Sequence, residues 1–216
     1  MLTLSETHRK NNQEKEKNEN DHTRQVYAER RSRYTKAVEQ LANEKAAVRL
    51  GGIYTLVGLV DEWLADETLE QEEQQKEGQV IINNLCSYIR SPFPLALKAE
   101  KFESEVEPTN AEKGFAKNQS KFREEQDVRR TIFVEMSKRS STFTKNEKGE
   151  MVPSPSTWSN FEFDFSRAPI FYPLNDLTIE KGNFSSSKFH AKADFSRVTF
   201  TCDADRKSTR LNSSHI

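Results

Sequence analysis

Cysteine and long apolar runs are scarce in this chain of 216 residues. The two cysteines, Cys86 and Cys202, give neither a disulfide framework nor a metal-ligand spacing, so we expect buried, reduced thiols. The most apolar segment, residues 50–60, is bounded by Arg49 and Asp61. A membrane-spanning helix needs about 20 apolar residues, so this segment is too short to cross a bilayer. No apolar stretch follows the first residues, and a signal peptide is not predicted.

Residue patterns that carry catalysis or hold cofactors are also missing from the sequence. No His-x-x-x-His or Cys-x-x-Cys spacing offers a metal site, and no Gly-rich phosphate loop precedes a helix. No serine lies in a Gly-x-Ser-x-Gly elbow, and the acidic cluster at residues 70–77 is typical of a solvated loop. We therefore expect no catalytic residue, no cofactor and no metal, and predict that the protein is not an enzyme.

Charged side chains are abundant but balanced. The 33 Lys and Arg residues and the 34 Asp and Glu residues leave a formal net charge of -1. No global field therefore favours nucleic acid or acidic lipid as a partner. Hydrophobic residues make up 34% of the chain, below the roughly 45–50% apolar content (a count that includes Gly) of typical globular domains. Part of the chain is therefore expected to lie outside a packed core.

Composition divides the chain into segments. Residues 1–33 are dense in Lys, Glu, Asn and Arg, which predicts a solvated helix or a disordered lead-in that would suit a stalk. Residues 34–139 show helical spacing of apolar residues, interrupted near 95–124 by a polar stretch that is predicted to be a loop or a weak helix. Residues 140–159 contain several Gly and Pro residues and are predicted to be a linker. A repeat follows in residues 160–204.

Four helices are predicted between residues 34 and 139. Asn43 is the expected N-cap of the second helix, and Gly51 and Gly52 inside that helix indicate a close approach by the first. Residues 65–77 are expected to form an exposed connection, and Pro92 ends the third helix. The marking residues are Tyr34, Ala37, Val38 and Leu41 for the first helix, Leu50, Ile53, Tyr54, Val57, Val60, Trp63 and Leu64 for the second, Ile82, Leu85, Cys86 and Ile89 for the third, and Val128, Ile132 and Met136 for the fourth.

A large apolar residue recurs every five positions near the C-terminal end, with two slips. A period of five fits neither a helix nor a strand, and it predicts one structural unit per repeat in a solenoid whose axis these residues fill. The alternative is a set of Phe-rich β-hairpins with accidental spacing. The predicted structural repeat centres are Phe165, Ile170, Leu174, Ile179, Phe184, Phe189, Phe195 and Phe200.

The repeat resembles the pentapeptide-repeat family over residues 160–204. That family has Ala, Asp or Asn, Leu or Phe, Ser or Thr, then any residue. The resemblance implies a right-handed parallel β-helix with four repeats per square turn. Pro169 and Pro173 depart from the pattern, so the first turns are expected to be irregular. Eight centres supply two turns, and about three stacked units are usually needed, so a longer array is expected. The cleanest match is Ala193, Asp194, Phe195, Ser196 and Arg197.

The helical part carries a second resemblance. The first two predicted helices resemble a HEAT-like hairpin, and residues 33–90 resemble the helical region that precedes the repeats in a subset of bacterial pentapeptide-repeat proteins. The helix that begins at Asp127 and Val128 is similar to a further helix found there. One or two membrane-spanning helices usually come earlier in that subset. They are absent from this sequence, so either the chain starts downstream of them or Met1 begins a soluble variant. The resemblance therefore implies a cytoplasmic protein, which would be associated with the inner face of the membrane only through a missing upstream anchor.

Residues 205–216 break the repeat abruptly. Residues 205–215 resemble the translation of a short-read sequencing adapter, so the native frame is expected to be readable only to Ala204 and the chain to be a fragment. The alternative is a natural basic tail that binds an acidic partner.

These patterns together predict an α+β chain, in which a HEAT-like helical module, a linker and a short β-helix follow one another. The leading functional hypothesis is a non-enzymatic scaffold or adaptor with an unknown protein partner. One alternative is a DNA mimic that binds type II topoisomerases, although residues 160–204 contain six acidic and five basic residues and so lack a strongly acidic field. A third hypothesis is a regulatory domain of a larger, truncated protein.

Overall fold

The structure, a computed structural model, describes residues 4–104, 113–179, 181–190 and 199–200. These ranges are mostly helical, with a few short strands in small sheets. The helices are α1 Leu4–Leu41, α2 Ala46–Leu64, α3 Gln71–Arg90, a 3-10 helix Pro94–Lys98, α4 Ala99–Glu103 and α5 Phe115–Ser140. The strands are β1 Ser141–Lys145, β2 Met151–Pro155, β3 Phe163–Asp164, β4 Pro169–Ile170, β5 Thr178–Ile179, β6 Gly182–Asn183, β7 Lys188–Phe189 and β8 Thr199–Phe200.

Helix α1 is continuous from the charged lead-in into the first apolar helix. The side chains from His8 to His22 are all exposed, because this part of the helix offers no apolar residue to bury. Apolar contact begins at Tyr27, whose ring centroid lies 5.3 Å from that of Trp63, and Ala37 and Leu41 near the end of the helix are buried. Residues 4–33 are helical, and the solvated part of this stretch runs from His8 to His22.

Helix α2 lies at the centre of the helical part and packs against α1, α3 and α5. It begins at Ala46, with Lys45 as its N-cap. Asn43 instead accepts a hydrogen bond from the Lys45 N–H, at 2.9 Å, in the preceding turn. The prediction of Asn43 as N-cap was therefore wrong, because its side chain closes the turn between the helices.

The buried face of α2 is wider than the predicted stripe. Tyr54, placed on the apolar face by its spacing, is 55% exposed. Leu56 and Leu59, outside the stripe, are fully buried. A helix covered on several sides buries most of its circumference, so helical spacing alone selects too few of its core residues.

Helix α3 starts earlier than expected, and the connection before it is correspondingly shorter. Residues 65–77 were predicted to be an exposed connection, but α3 already begins at Gln71. Ile82, Leu85 and Ile89 are buried as predicted, and so is Cys86. Burial raises the pKa of the Cys86 thiol to about 12, which makes this thiol unreactive near neutral pH.

Of the two forms predicted for the polar stretch near residues 95–124, a loop or a weak helix, its described residues are largely helical. It contains most of the 3-10 helix, all of α4 and the beginning of α5. Phe102 and Phe122 are buried there, with ring centroids 5.3 Å apart. Three widely spaced phenylalanines, Phe102, Phe115 and Phe122, give a weak periodic signal among charged residues, yet their rings pack together and bury apolar surface that anchors α4 and the start of α5.

The predicted linker at residues 140–159 is a β-hairpin followed by a buried tryptophan. Strands β1 and β2 pair antiparallel. The Trp158 side chain is fully buried, and its indole N–H donates to the Asp61 carboxylate at 2.8 Å. The segment is therefore attached to α2 and does not act as a free linker.

The remaining strands form three two-stranded parallel sheets, β3 with β6, β4 with β7 and β5 with β8. Phe163 pairs with Gly182, and Ile170 pairs with Phe189, so the first two sheets have the same offset along the chain. Ile179 pairs with Phe200 at a slightly larger offset. In each sheet the chain thus returns to lie beside itself after about four of the five-residue units. Phe195 and residues 201–216 lie outside the described residues.

Substituting alanine for each of the two adjacent glycines of α2 should change the free energy of unfolding in opposite directions. A Cβ at Gly52 would lie 2.8 Å from the Ala37 carbonyl oxygen, whereas a Cβ at Gly51 would meet nothing within 4 Å. The close approach of α1 is therefore confirmed at Gly52 only. We expect Gly52→Ala to lower the free energy of unfolding by about 1–3 kcal/mol. Gly51→Ala should raise it by about 0.5–1 kcal/mol.

Chemical denaturation of the two variants beside the wild type measures both effects. Equal destabilisation by Gly51→Ala and Gly52→Ala would contradict the contact between α1 and α2.

Candidate functional site

The helices and the parallel strands meet at an aromatic junction between α5 and the turn that starts at β3. The Phe133 ring centroid lies 4.5 Å from that of Phe165, 5.8 Å from that of Tyr172 and 6.2 Å from that of Phe184. Phe133, Phe165 and Tyr172 are almost completely buried. Since these rings come from both parts of the chain, helices and strands share one core at this junction.

The structure brings several predicted repeat centres into register. Phe165 lies over Phe184, with ring centroids 5.0 Å apart. Ile170 pairs with Phe189, and Ile179 pairs with Phe200, in the parallel sheets. Phe165, Ile170 and Leu174 are buried, Phe184 and Phe189 are half-buried, and Ile179 and Phe200 are described by their backbone pairing.

Further aromatic residues of the junction fall outside the five-residue spacing. Phe163 is buried and stacks on Phe165, with ring planes 3° apart. Phe161 fits against Gly78 of α3, where an added Cβ would lie 2.5 Å from the Phe161 ring. Phe171 is also buried. The available signal was the density of aromatic residues from 161 to 172, which exceeds what one repeat centre in five can explain.

Polar residues immediately before two repeat centres close the turns of the chain. Asp164 accepts a hydrogen bond from the Ser166 N–H at 3.0 Å, and Asn183, its partner in the parallel register, accepts one from the Ser185 N–H at 3.0 Å. The Asn183 amide also donates to Asp164 at 3.3 Å. Both side chains thus bind backbone and each other. They stabilise the turns that follow each centre.

Arg129 of α5 is a buried cation, with 1% of its side chain exposed. It donates to Glu125 at 2.7 Å, to the Ile89 carbonyl at 2.8 Å and to the Ser91 carbonyl at 3.0 Å. Its guanidinium also lies 5.3 Å from the centroid of the Phe171 ring. Arg129 therefore connects α5 both to the end of α3 and to the first parallel turn.

Glu125 is the shared acidic partner of two buried arginines. It accepts from Arg129 and lies 3.2 Å from the guanidinium of Arg49 in α2. The Tyr88 hydroxyl donates to both Glu125 oxygens, at 3.1 and 3.0 Å. Burial raises the pKa of Tyr88, and the negative charge of Glu125 raises it further. The hydroxyl therefore stays protonated and remains a donor.

Four polar contacts cross the junction beside the aromatic core. The Gln79 side chain donates to the Glu162 carbonyl and accepts from the Glu162 N–H, at 2.9 and 3.0 Å. The other three contacts are the ion pair of Arg90 with Asp164, the hydrogen bond from the Gln126 amide to the Phe171 carbonyl at 2.7 Å, and the hydrogen bond from the Thr178 N–H to the Ser137 hydroxyl at 2.9 Å. These polar contacts restrict sliding or rotation of the parallel strands against the helices.

Among the described residues, no group of three His, Cys, Asp or Glu side chains could hold a metal ion. In the same part of the chain, no helix has the length and apolar character needed to cross a membrane. No family model, curated protein or solved structure matches the chain. The junction joins the helices to the parallel strands through a shared aromatic core and polar contacts.

The repeat centres should differ in their contribution to stability according to their burial. Phe165 is 1% exposed and Phe184 is half-buried. We expect Phe165→Ala to lower the free energy of unfolding by about 3–5 kcal/mol, as for a fully buried phenylalanine, and Phe184→Ala to lower it by less. Denaturant unfolding followed by far-UV circular dichroism would measure both. An unchanged midpoint for Phe165→Ala would contradict the shared core.

The ion pair of Arg90 with Asp164 should make stability depend on pH. Burial opposes the charged form of Asp164, but hydrogen bonds from Ser166 and the charges of Arg90 and Arg167 outweigh it and lower the pKa below its ordinary value of 3.8. Because the pKa of Asp164 is lower in the folded state than in the unfolded chain, the charged carboxylate stabilises the fold at pH values above the ordinary pKa. This stabilisation is lost as the pH falls through the pKa of the folded state.

The variant Asp164→Asn keeps an acceptor for the Ser166 N–H, as Asn183 does for Ser185, but it cannot titrate. We therefore expect the wild type to be more stable than Asp164→Asn at pH 7, and the difference to shrink once the pH falls below about 4. Thermal unfolding of both proteins across pH 3–7 measures this. A difference that does not change with pH would contradict the role of the charge.

Proposed function

We propose that the three parallel strand pairs are the first turns of a right-handed β-helix of pentapeptide repeats. The return of the chain beside itself after about four five-residue units, in all three sheets, supports this proposal. So do Arg167 and Ser186, which both have positive φ, at 61° and 59°. The register of β3 with β6, continued along the chain, places these two residues at equivalent points of successive turns. In a β-helix, successive turns have the same backbone conformation at equivalent positions, so a positive φ is expected to recur at each equivalent corner.

On this basis, the protein is a non-enzymatic scaffold in which a HEAT-like helical module is mounted on one end of the β-helix. The contact of Phe133 with Phe165 carries this proposal, because α5 contributes a ring to the core that it shares with the first parallel turn. The terminal turn of a solenoid needs a cover for its apolar end. A helix that also belongs to a binding module would meet this need and fix the module relative to the rod.

The helical module would bind the unknown protein partner, and the β-helix would serve as a rigid spacer or second binding face. The exposed Tyr54 on α2 is a candidate contact residue, since a large ring that is 55% exposed offers apolar area without opening the core. If an upstream anchor holds the protein at the inner face of the membrane, α1 would separate the module from that surface. Its exposed part, from His8 to His22, spans 15 residues, which correspond to about 22 Å of helix.

The mounting can be tested by measuring a distance across the junction. Spin labels at Ser87→Cys on α3 and Lys188→Cys on β7, both exposed positions, would be introduced in a Cys202→Ser background. The buried Cys86 should not be labelled. Pulsed electron–electron double resonance should give one narrow distance distribution, because the junction fixes the two parts.

The matched control is a label pair at Lys36→Cys and Ser87→Cys, exposed positions that both lie in the helices. This control gives the width of the distance distribution that is expected when both labels belong to one rigid unit. A distribution across the junction that is several times wider than this control would show that the parts move independently, and the proposed rigid scaffold would be wrong.

A further inference from the structure

The hairpin of β1 and β2 has a register that fixes which backbone groups face outward. The Asn146 N–H donates to the Glu150 carbonyl at 2.9 Å, and the Ser156 N–H donates to the Ser140 carbonyl at 3.0 Å. In an antiparallel pair, hydrogen-bonded and non-hydrogen-bonded pairs alternate. Phe143 with Pro153 and Lys145 with Met151 are therefore non-hydrogen-bonded pairs, whose N–H and C=O groups point away from the partner strand.

The two outer edges of this hairpin differ in their capacity to bind another strand. On β2, Pro153 and Pro155 occupy outward-facing positions of the register, and proline has no N–H to donate. On β1, the outward groups of Phe143 and Lys145 are intact. This edge has no strand partner among the described residues. The hairpin therefore has one blocked edge and one competent edge.

The hairpin also carries exposed apolar surface, with one residue on each strand. Phe143 is 53% exposed and Met151 is 57% exposed. The register places both on the same face of the hairpin. Isolated exposed apolar residues are ordinary, but a phenylalanine on an unpaired strand edge is a feature that soluble proteins usually avoid unless something pairs with it.

The sequence of β1 is self-complementary about Phe143. Thr142 and Thr144 flank it symmetrically. If two β1 strands pair antiparallel about a twofold axis at Phe143, each Thr142 lies opposite Thr144 of the other copy. Threonine pairs and aromatic pairs directly opposite one another stabilise antiparallel sheets. Lys145 lies opposite Ser141, so no like charges face each other.

We propose that β1 is a dimerisation edge, which pairs antiparallel with β1 of a second copy of this chain to form a four-stranded sheet. The Phe143 pair exchanges two main-chain hydrogen bonds, and each Lys145 N–H donates to the Ser141 carbonyl of the other copy. The Ser141 N–H takes no part, because it already donates to the Ser137 carbonyl at the end of α5. The same surface meets itself, as a twofold interface requires.

The prolines of β2 determine where assembly stops. After β1 has paired, the outer strand on each side of the new sheet is β2, whose edge lacks donors at Pro153 and Pro155. The sheet therefore closes at four strands and two copies. A pairing of short strands buries less than the roughly 1,000 Å² of a stable interface, so the dimer should dissociate on dilution.

Cross-linking tests the position of the twofold axis. Residues opposite each other in a hydrogen-bonded pair have Cα atoms about 5.5 Å apart, within the range that a disulfide spans. Phe143→Cys, in a Cys202→Ser background, should therefore give a covalent dimer on mild oxidation. Lys145→Cys is the matched control, since it lies on the same face and edge but about 14 Å from its counterpart in the other copy. Equal cross-linking of the two variants would contradict the register.

Sedimentation velocity tests the edge itself without an added cysteine. The wild type should show a concentration-dependent dimer as the protein is raised to about 1 mM, where weak interfaces form. Phe143→Pro removes an outward N–H without touching the ladder to β2 and should weaken dimerisation at least tenfold. Pro153→Val restores a donor to the blocked edge and should give species larger than a dimer. Circular dichroism should show that both variants remain folded.

The proposal is wrong if the wild type stays monomeric over the whole concentration range, which would leave the edge to a strand of a different protein. It is also wrong if a folded Phe143→Pro variant dimerises as strongly as the wild type, because another surface would then be responsible.

Discussion

The buried guanidinium of Arg129 is the constraint on which the arrangement of helices and strands depends. A buried charge with a missing partner is strongly destabilising, whereas a fully partnered one adds little net stability. Arg129 finds its acceptors on Glu125 and on the carbonyls of Ile89 and Ser91, and its guanidinium lies beside Phe171. These groups have to be assembled together, so the cation selects one packing of α5 against α3 and the first parallel turn.

The spacing of apolar residues predicted the buried residues correctly in a helix with one apolar face. It failed in a helix that other elements cover on several sides. The positions of Ile82 and Ile89 followed from helical spacing because α3 buries a single stripe. Tyr54 was wrongly predicted to lie on the buried face. Helix α2 packs against three helices, so only a narrow face of it is exposed to solvent, and Tyr54 lies on that face. The linker prediction failed for a related reason. Its Gly and Pro residues build a hairpin, and the burial of Trp158 has no periodic signal.

The aromatic junction was only partly accessible from the sequence. The five-residue spacing identified Phe165 and Ile170, which both lie in the core. It gave no reason to place Phe133 of α5 beside them, because one phenylalanine in a charged helix carries no pairing information. Contacts between residues distant along the chain, such as Arg90 with Asp164, arise from the docking of whole elements. A single sequence shows which residues are apolar but does not show which elements meet.

If the proposed scaffold is rigid at the junction, the junction and the β1 edge together would determine how two copies are arranged. The hairpin is attached to the helices through Trp158 and Asp61, so a strand that pairs with β1 would be held at a set position relative to α2. In a twofold assembly, both helical modules would face fixed directions, and two weak partner contacts would reinforce each other through their effective concentration. The blocked edge at Pro153 and Pro155 matters as much as the open one, because an assembly able to grow on both edges would form filaments.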